Sequence, residues 1–254
     1  MNLLSVKNLS LRFGGLRVLS NVTFDIKKNA INSMIGPNGA GKTSMFNCLT
    51  GFYRPTEGKI ELEGNAIQGK LPHQITAAGL ARTFQNIRLF SEMTVAENVM
   101  SGPHCRTHHG ILSAIFHLPS QRREEEFIHA ESLKWLKFVG IDRHLNRLAG
   151  DLSYGDRRKV EWARALASAP KILLLDEPAA GLNATEKLEL IQLIRRVRDI
   201  AGITVLIIEH DIGLVMQVSD RIVVLDHGQK IADDIPKAIQ SHPKVIEAYL
   251  GTEE

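Results

Sequence analysis

Gly36-Pro37-Asn38-Gly39-Ala40-Gly41-Lys42-Thr43-Ser44 is the stretch on which the reading of this chain turns. It places a glycine, four residues and then Gly-Lys-Thr between an apolar run, Ile31 to Ile35, and a helical stretch around Met45, Phe46 and Leu49. Glycines let backbone N–H groups turn inward around an anion, and the N-terminus of the following helix adds its partial positive charge. A lysine at this spacing reaches the β- and γ-phosphates of a nucleotide, and the Thr43 hydroxyl suits a Mg²⁺ ion. The expectation is a nucleoside triphosphate held by residues Gly36 to Ser44.

Working outward, Ile172-Leu-Leu-Leu-Asp176-Glu177 has the form of a buried parallel strand ending in two carboxylates. Asp176 at the sheet edge is expected to hold Mg²⁺, and Glu177 to act as general base on the attacking water. Ile203–Ile208 reads as a further buried strand, and Arg221–Leu225 with Gln229–Ala232 as a closing hairpin around His227-Gly228. Near the N-terminus, Leu3 to Phe13 and the near-alternation Val18, Val22, Phe24, Ile26 predict antiparallel strands. A second hairpin is expected across Lys59–Leu62 and Ala66–Gln68, with Glu63-Gly64-Asn65 as its turn. Between about 86 and 160 the pattern turns helical. Pro119-Ser120 opens one helix that Gly140 stops, and Ser153 starts another that runs to just before Pro170. Asn183 with Glu186 three residues on predicts a capping box, and the helix behind it continues to Gly202.

The composition narrows the function classes. The chain has 254 residues, 44% hydrophobic, and a net charge of +3, which provides no strong field for nucleic acid. Its longest stretch free of Asp, Glu, Lys and Arg is Thr107 to Gln121, 15 residues interrupted by His, Ser and Gln, and a bilayer span needs about 20 apolar residues. No basic start with an apolar run marks a secretory signal. Two cysteines, Cys48 and Cys105, make no disulfide framework and suit a reducing cytosol. His104-Cys105-Arg-Thr-His108-His109 gathers metal-ligand residue types, but without a second spaced ligand pair it is read as a solvated loop.

Leu152-Ser153-Tyr154-Gly155-Asp156, one helix ahead of the Asp176-Glu177 strand, resembles the signature motif of ATP-binding-cassette (ABC) ATPases, usually Leu-Ser-Gly-Gly-Gln. Gln85 in Arg82-Thr-Phe-Gln85 and His210 in Ile208-Glu-His210-Asp match two further family motifs, and Phe13 is the best match for the aromatic that stacks on adenine. The resemblance implies a P-loop NTPase (RecA-like) α/β core with an N-terminal antiparallel β subdomain and an inserted α-helical subdomain. It divides the chain into a core at 1–85 and 161–232, a helical subdomain at 86–160 and a C-terminal helical tail at 233–254.

It also implies that Ser153 and the Gly155 N–H face the γ-phosphate held by a second cassette, so that a head-to-tail dimer sandwiches two ATP molecules. Gln85 would touch Mg²⁺ and the attacking water, His210 the γ-phosphate, and Asn183 the other cassette. Two departures stand out: Asp156 occupies the usual Gln position, and Asn183 ends a loop that more often ends in Asp. Finer likeness in residues 46–55, 82–90, 177–183 and 247–251 is to the LivG-type ATPases of branched-chain amino-acid uptake. This implies two transmembrane permease subunits and, indirectly, a periplasmic or extracellular solute-binding protein, with this subunit peripheral at the cytoplasmic face of the inner membrane. The residues leave open another solute, such as urea or a different amino acid, and lipopolysaccharide export.

Overall fold

Two polar turns show how local chemistry sets this fold. Glu63 and Gly64 both have positive φ, 49° and 78°, and so do His227 and Gly228, at 42° and 75°. Two consecutive residues of that kind make a type I′ turn, whose twist matches that of paired strands. The first joins β4 (Glu57–Leu62) to β5 (Asn65–Ala66), and the second joins β9 (Arg221–Asp226) to β10 (Gln229–Asp234). The return strand of the earlier hairpin therefore begins at Asn65, one residue before the expected Ala66, because the turn needs only two residues.

The computed structural model describes residues 1–103 and 119–250. The histidine and cysteine run from His104 to His109 lies outside the described residues. The described chain forms two compact units, one of residues 1–85 and 171–254 and the other of residues 86–170.

The first unit holds both sheets. A four-stranded antiparallel sheet runs β2 (Leu16–Lys27), β1 (Asn2–Phe13), β4, β5. A six-stranded sheet runs β10, β9, β3 (Ile31–Ile35), β8 (Thr204–Ile208), β7 (Ile172–Asp176), β6 (Leu80–Arg82). From β9 to β6 all neighbours are parallel, and β3, β7 and β8 are buried along their whole length. That accounts for their continuous apolar runs, since both faces of a parallel sheet are covered.

The helix α1 (Lys42–Leu49) buries Met45, Phe46 and Leu49 in a core shared with Leu4, Val6, Leu9 and Ile60 from one sheet and Leu174, Leu206 and Leu225 from the other. A second cluster, Ile35, Val215, Ile222, Val224, Ile239 and Val245, covers another part of the parallel sheet.

Helix α6 (Ala184–Asp199) starts at the expected capping box: Asn183 Oδ1 accepts the Glu186 N–H at 3.0 Å, and Glu186 Oε2 accepts the Asn183 N–H at 2.8 Å. It stops at Asp199, short of Gly202. Sequence patterning gave no sign of α2 (Pro72–Ala78) or of the three-residue β6. Short chains such as β6 have no period to read.

The second unit is helical. α3 (Val95–Met100), α4 (Pro119–Val139) and α5 (Tyr154–Ala167) pack on one another. Val95, Val99, Leu136, Val139 and Val160 are buried there. The unit keeps α5 whole and runs on to Pro170. Buried Asn98 shapes its surface: the side chain accepts the Phe90 N–H and donates to the carbonyls of Phe90, Met93 and Thr94. Four bonds from one amide fold the 90–94 segment so that Phe90 and Met93 point outward, with Phe90 54% exposed.

Leu174 has no solvent exposure and sits mid-strand in β7 between β6 and β8. Leu174→Ala is expected to lower stability by about 2–5 kcal/mol, measured as a shift in the urea midpoint.

Candidate functional site

Gly36 ends β3 in a backbone conformation, φ 153°, that leaves no room for a side chain: a Cβ there would run into the Leu225 carbonyl oxygen. Gly41 sits at the N-cap of α1 with φ 99°, and a Cβ would press on the Leu19 side chain at 2.8 Å. These two positions let residues 36–41 coil tightly and deliver α1 with its first N–H groups free of any side-chain cap. The closing hairpin braces the loop from behind, because the Gly228 N–H donates to the Ala40 carbonyl at 3.1 Å. From the C-terminal helix (Pro243–Leu250), the Tyr249 hydroxyl takes a hydrogen bond from the Gly36 backbone; burial raises the Tyr249 pKa and this bond opposes the rise.

Lys42 is buried, and its ammonium donates to the carbonyls of Gly36 at 2.7 Å and Pro37 at 2.9 Å. Burial lowers its pKa, and the negative charge of Glu177 opposes that. Thr43 is exposed, Ser44 is half-buried, and Asn38 and Gly39 lie at the surface of the loop. Within the loop the Ala40 N–H donates to the Pro37 carbonyl at 3.2 Å, so Pro37 accepts from both Ala40 and Lys42. Phe13, at the end of β1, is half-exposed and meets Tyr53 edge-on, with ring centroids 5.1 Å apart. Its free face is available for stacking.

The carboxylates arrive by strand register. β7 pairs Asp176 with Ile208 of β8 and Leu174 with Arg82 of β6, so three strands release their chains at one edge. Glu177 follows with φ 49°, an unusual conformation for a non-glycine residue and one that turns its side chain off the strand line. Its N–H donates to the Ile208 carbonyl at 2.9 Å. Gln85 Nε2 donates to Glu177 Oε2 at 2.7 Å, and His210 Nδ1 lies 3.9 Å from the same oxygen. Gln85, Glu177 and His210 therefore come together around one carboxylate oxygen.

Ser153 and Gly155 belong to the helical unit. Ser153 caps α5, its hydroxyl accepting the Asp156 N–H at 3.2 Å. Asp156 lies in the first turn, where a negative charge favours the helix dipole. Arg157 turns away to the carbonyls of Leu152 at 2.9 Å and Gly150 at 3.0 Å.

Two residues at the sheet edge were not singled out by sequence reasoning. Arg82 Nη2 donates to Asp176 Oδ2 at 2.6 Å, with the two side chains only 6% and 8% exposed. Arg82 also donates to Asn47 and Thr50 of the α1 segment and lies 4.9 Å from the Phe84 ring. Glu209, wholly buried, accepts three backbone N–H groups: Ala179 at 2.7 Å, His210 at 3.2 Å and Asp211 at 3.4 Å. Burial raises its pKa, opposed chiefly by the bonds from Ala179 and Asp211. Its signal was the one that marked Asp176, an apolar strand running into an acid. The histidine beside it drew the attention.

Residues 19–180 match the ABC transporter family model. The chain belongs to that family. Residues 229–254 match a second model, described as the branched-chain amino acid ATP-binding cassette transporter. The chain is 47% identical over 249 residues to the high-affinity branched-chain amino acid transport ATP-binding protein LivG of Escherichia coli, with 98% of each chain covered. A solved ATP-binding cassette of an ABC transporter in its ADP conformation superposes with a TM-score of 0.85 at 34% identity, covering 99% of both chains. A dimeric cassette in a post-hydrolysis state, bound to ADP and phosphate, matches with a TM-score of 0.75 at 26% identity over 92% of this chain and 98% of that one. This ABC cassette is an ATPase subunit of a transporter, with the α/β P-loop fold and antiparallel β subdomain of its relatives. Among its described residues no helix is long and apolar enough to cross a membrane.

Removing one member of a buried ion pair leaves the other charge uncompensated. Arg82→Ala is therefore expected to lower stability by about 3–5 kcal/mol, measured by chemical unfolding.

Proposed function

We propose that this ABC cassette energises uptake of branched-chain amino acids, hydrolysing ATP at Glu177 within a two-cassette sandwich. The substrate assignment is carried by one observation, the match of residues 229–254 to the branched-chain cassette model. The nucleotide site cannot supply it, because every transporter of the family must bind ATP. The 47% identity to LivG along almost the whole chain supports the same reading.

In this reading the backbone of Gly36 to Ser44 and the Lys42 ammonium hold the phosphates, and Phe13 stacks on the adenine. Lys42 exchanges its bonds to the Gly36 and Pro37 carbonyls for the β- and γ-phosphate oxygens. Glu177 accepts a proton from the attacking water, the water oxygen bonds to the γ-phosphorus, and the bond to the ADP oxygen breaks, yielding ADP and phosphate. Gln85, already bonded to Glu177 through Nε2, orients that carboxylate, and His210 contacts the γ-phosphate. The donor set Thr43 hydroxyl, Asp176 carboxylate and Gln85 carbonyl is all oxygen and fits Mg²⁺, with Asp176 Oδ1 free of the Arg82 bond at Oδ2. Bound there, Mg²⁺ would neutralise charge on the phosphate oxygens.

A second cassette presents its Ser153 hydroxyl and Gly155 N–H to the γ-phosphate, and its Asn183 loop lies at the same interface. Two permease subunits dock on the helical unit. The outward Phe90 and Met93, with exposed Leu148 and Tyr154, provide an apolar surface there. A cleft of about 270 Å³ lined by Ile87, Leu89, Ser91 and Arg157 lies in the same unit. The subunit would thus be peripheral at the cytoplasmic face of the membrane, with a solute-binding protein acting from the other side.

Glu177→Gln is expected to keep ATP affinity, reduce turnover by about 10²–10⁴-fold and accumulate an ATP-bound dimer in light scattering. Lys42→Ala should lose nucleotide binding. Parental turnover in the first variant would exclude Glu177 as the base. For the substrate, the chain with its co-purified permeases in proteoliposomes should show ATPase stimulation by the solute-binding protein with leucine, isoleucine or valine. Stimulation by urea alone would overturn the assignment.

A further inference from the structure

Glu209 is a charge-bearing group with no exposure, next to a site whose chemistry does not use it. An isolated carboxylate is expensive to bury, so its surroundings have to be arranged for it. What surrounds it is unusual in one respect: its donors come from two different loops. Oε1 takes the N–H of Ala179, in the loop that leads from Glu177 to Asn183. Oε2 takes the N–H groups of His210 and Asp211, in the loop after β8. A serine or threonine hydroxyl at this position could not span both loops, whereas the two oxygens of a carboxylate serve one loop each.

Other bonds run in parallel with it. The Glu177 N–H reaches the Ile208 carbonyl, and Lys187, in the first turn of α6, donates to Asp211 Oδ2 at 2.6 Å. Asp211 in turn caps α7 (Ile212–Val218) by accepting the Leu214 N–H at 3.0 Å. Glu209 is the buried member of this set, and the only one of these bridges that ends on the N–H of His210 itself.

We propose that Glu209 is a positioning residue that locks the Ala179–Asn183 loop to the His210 loop, so that displacement of one is transmitted to the other. The inference rests on the two-cassette reading above, in which the first loop meets the partner cassette and His210 meets the γ-phosphate. Seating of the partner against residues 179–183 would then set His210, and with it the Glu177 carboxylate 3.9 Å away, into their working positions. Glu209 makes no contact with substrate in this scheme and acts only through the residues it holds.

Glu209→Gln tests it in the full-length chain. A glutamine keeps the volume and can accept from one loop, but its NH₂ group then faces an N–H donor of the other, so one tie is severed. The expected result is a fall in kcat of about 10–100-fold, as for a misplaced catalytic group, with ATP KM within about twofold of the parent and a thermal midpoint lowered by a few degrees, since a buried donor loses its acceptor. Glu209→Asp, which keeps the charge, should restore part of the loss. Parental kcat in Glu209→Gln, or a fall in kcat matched by equal losses of ATP affinity and thermal midpoint, would overturn the proposal.

If neither variant folds, hydrogen exchange of the parent chain decides. Peptides covering 178–183 and 209–212 should gain protection together when ATP is added; protection of one without the other would overturn it. Failure of the underlying reading looks different: the parent chain itself would bind no ATP, or would hydrolyse it without dimerising.

Discussion

Register in the parallel sheet is the constraint on which the site depends. Arg82 lies opposite Leu174, and Asp176 opposite Ile208, so β6, β7 and β8 deliver Arg82, Asp176-Glu177 and Glu209-His210 to one edge. Side chains alternate between the faces of a strand, so slipping β7 by one residue would exchange the faces of Asp176 and its neighbours. The buried strands resist such a slip because each residue of β7 and β8 is enclosed on both faces. The same aliphatic contacts that stabilise the sheet thus align the carboxylates at its edge.

Charge burial is the second requirement, and each buried charge has a different solution. Lys42 is held by two carbonyls of its own loop. Asp176 is held by Arg82, which is itself anchored to Asn47 and Thr50, so the phosphate-loop helix and the acid of β7 share one guanidinium. Glu209 is held by backbone N–H groups alone. Backbone donors move only when the chain moves, so these bonds tie the carboxylate to the positions of two loops.

Much of this was legible in the sequence, for physical reasons that can be named. The tight turn of residues 36–41 was legible because only glycine tolerates the conformations at 36 and 41. The strands β3, β7 and β8 were legible as unbroken apolar runs, and Ser153 and Asn183 as caps with a partner three residues on. Arg82 and Glu209 were not, although both stand inside motifs that were quoted. Their importance comes from bonds to residues 94 and 30 positions away in sequence, and no local pattern records such a contact. The extent of the helical unit to Pro170 was missed for a related reason: the change from helix to strand composition is gradual, whereas contacts assign α5 as a whole.

The same distinction separates what the family shares from what a particular transporter needs. Phosphate cradle, sheet-edge acids and helix-capping serine recur wherever ATP is bound between cassettes, so they say nothing about the solute. Away from the nucleotide site, the helical unit carries an apolar surface shaped by a buried amide. Asn98 makes four hydrogen bonds to the backbone of residues 90–94, a segment whose Phe90 and Met93 side chains lie exposed. An exposed aromatic on a mobile loop would lose much of its contact energy to ordering on docking, whereas one held by four internal bonds is ordered beforehand.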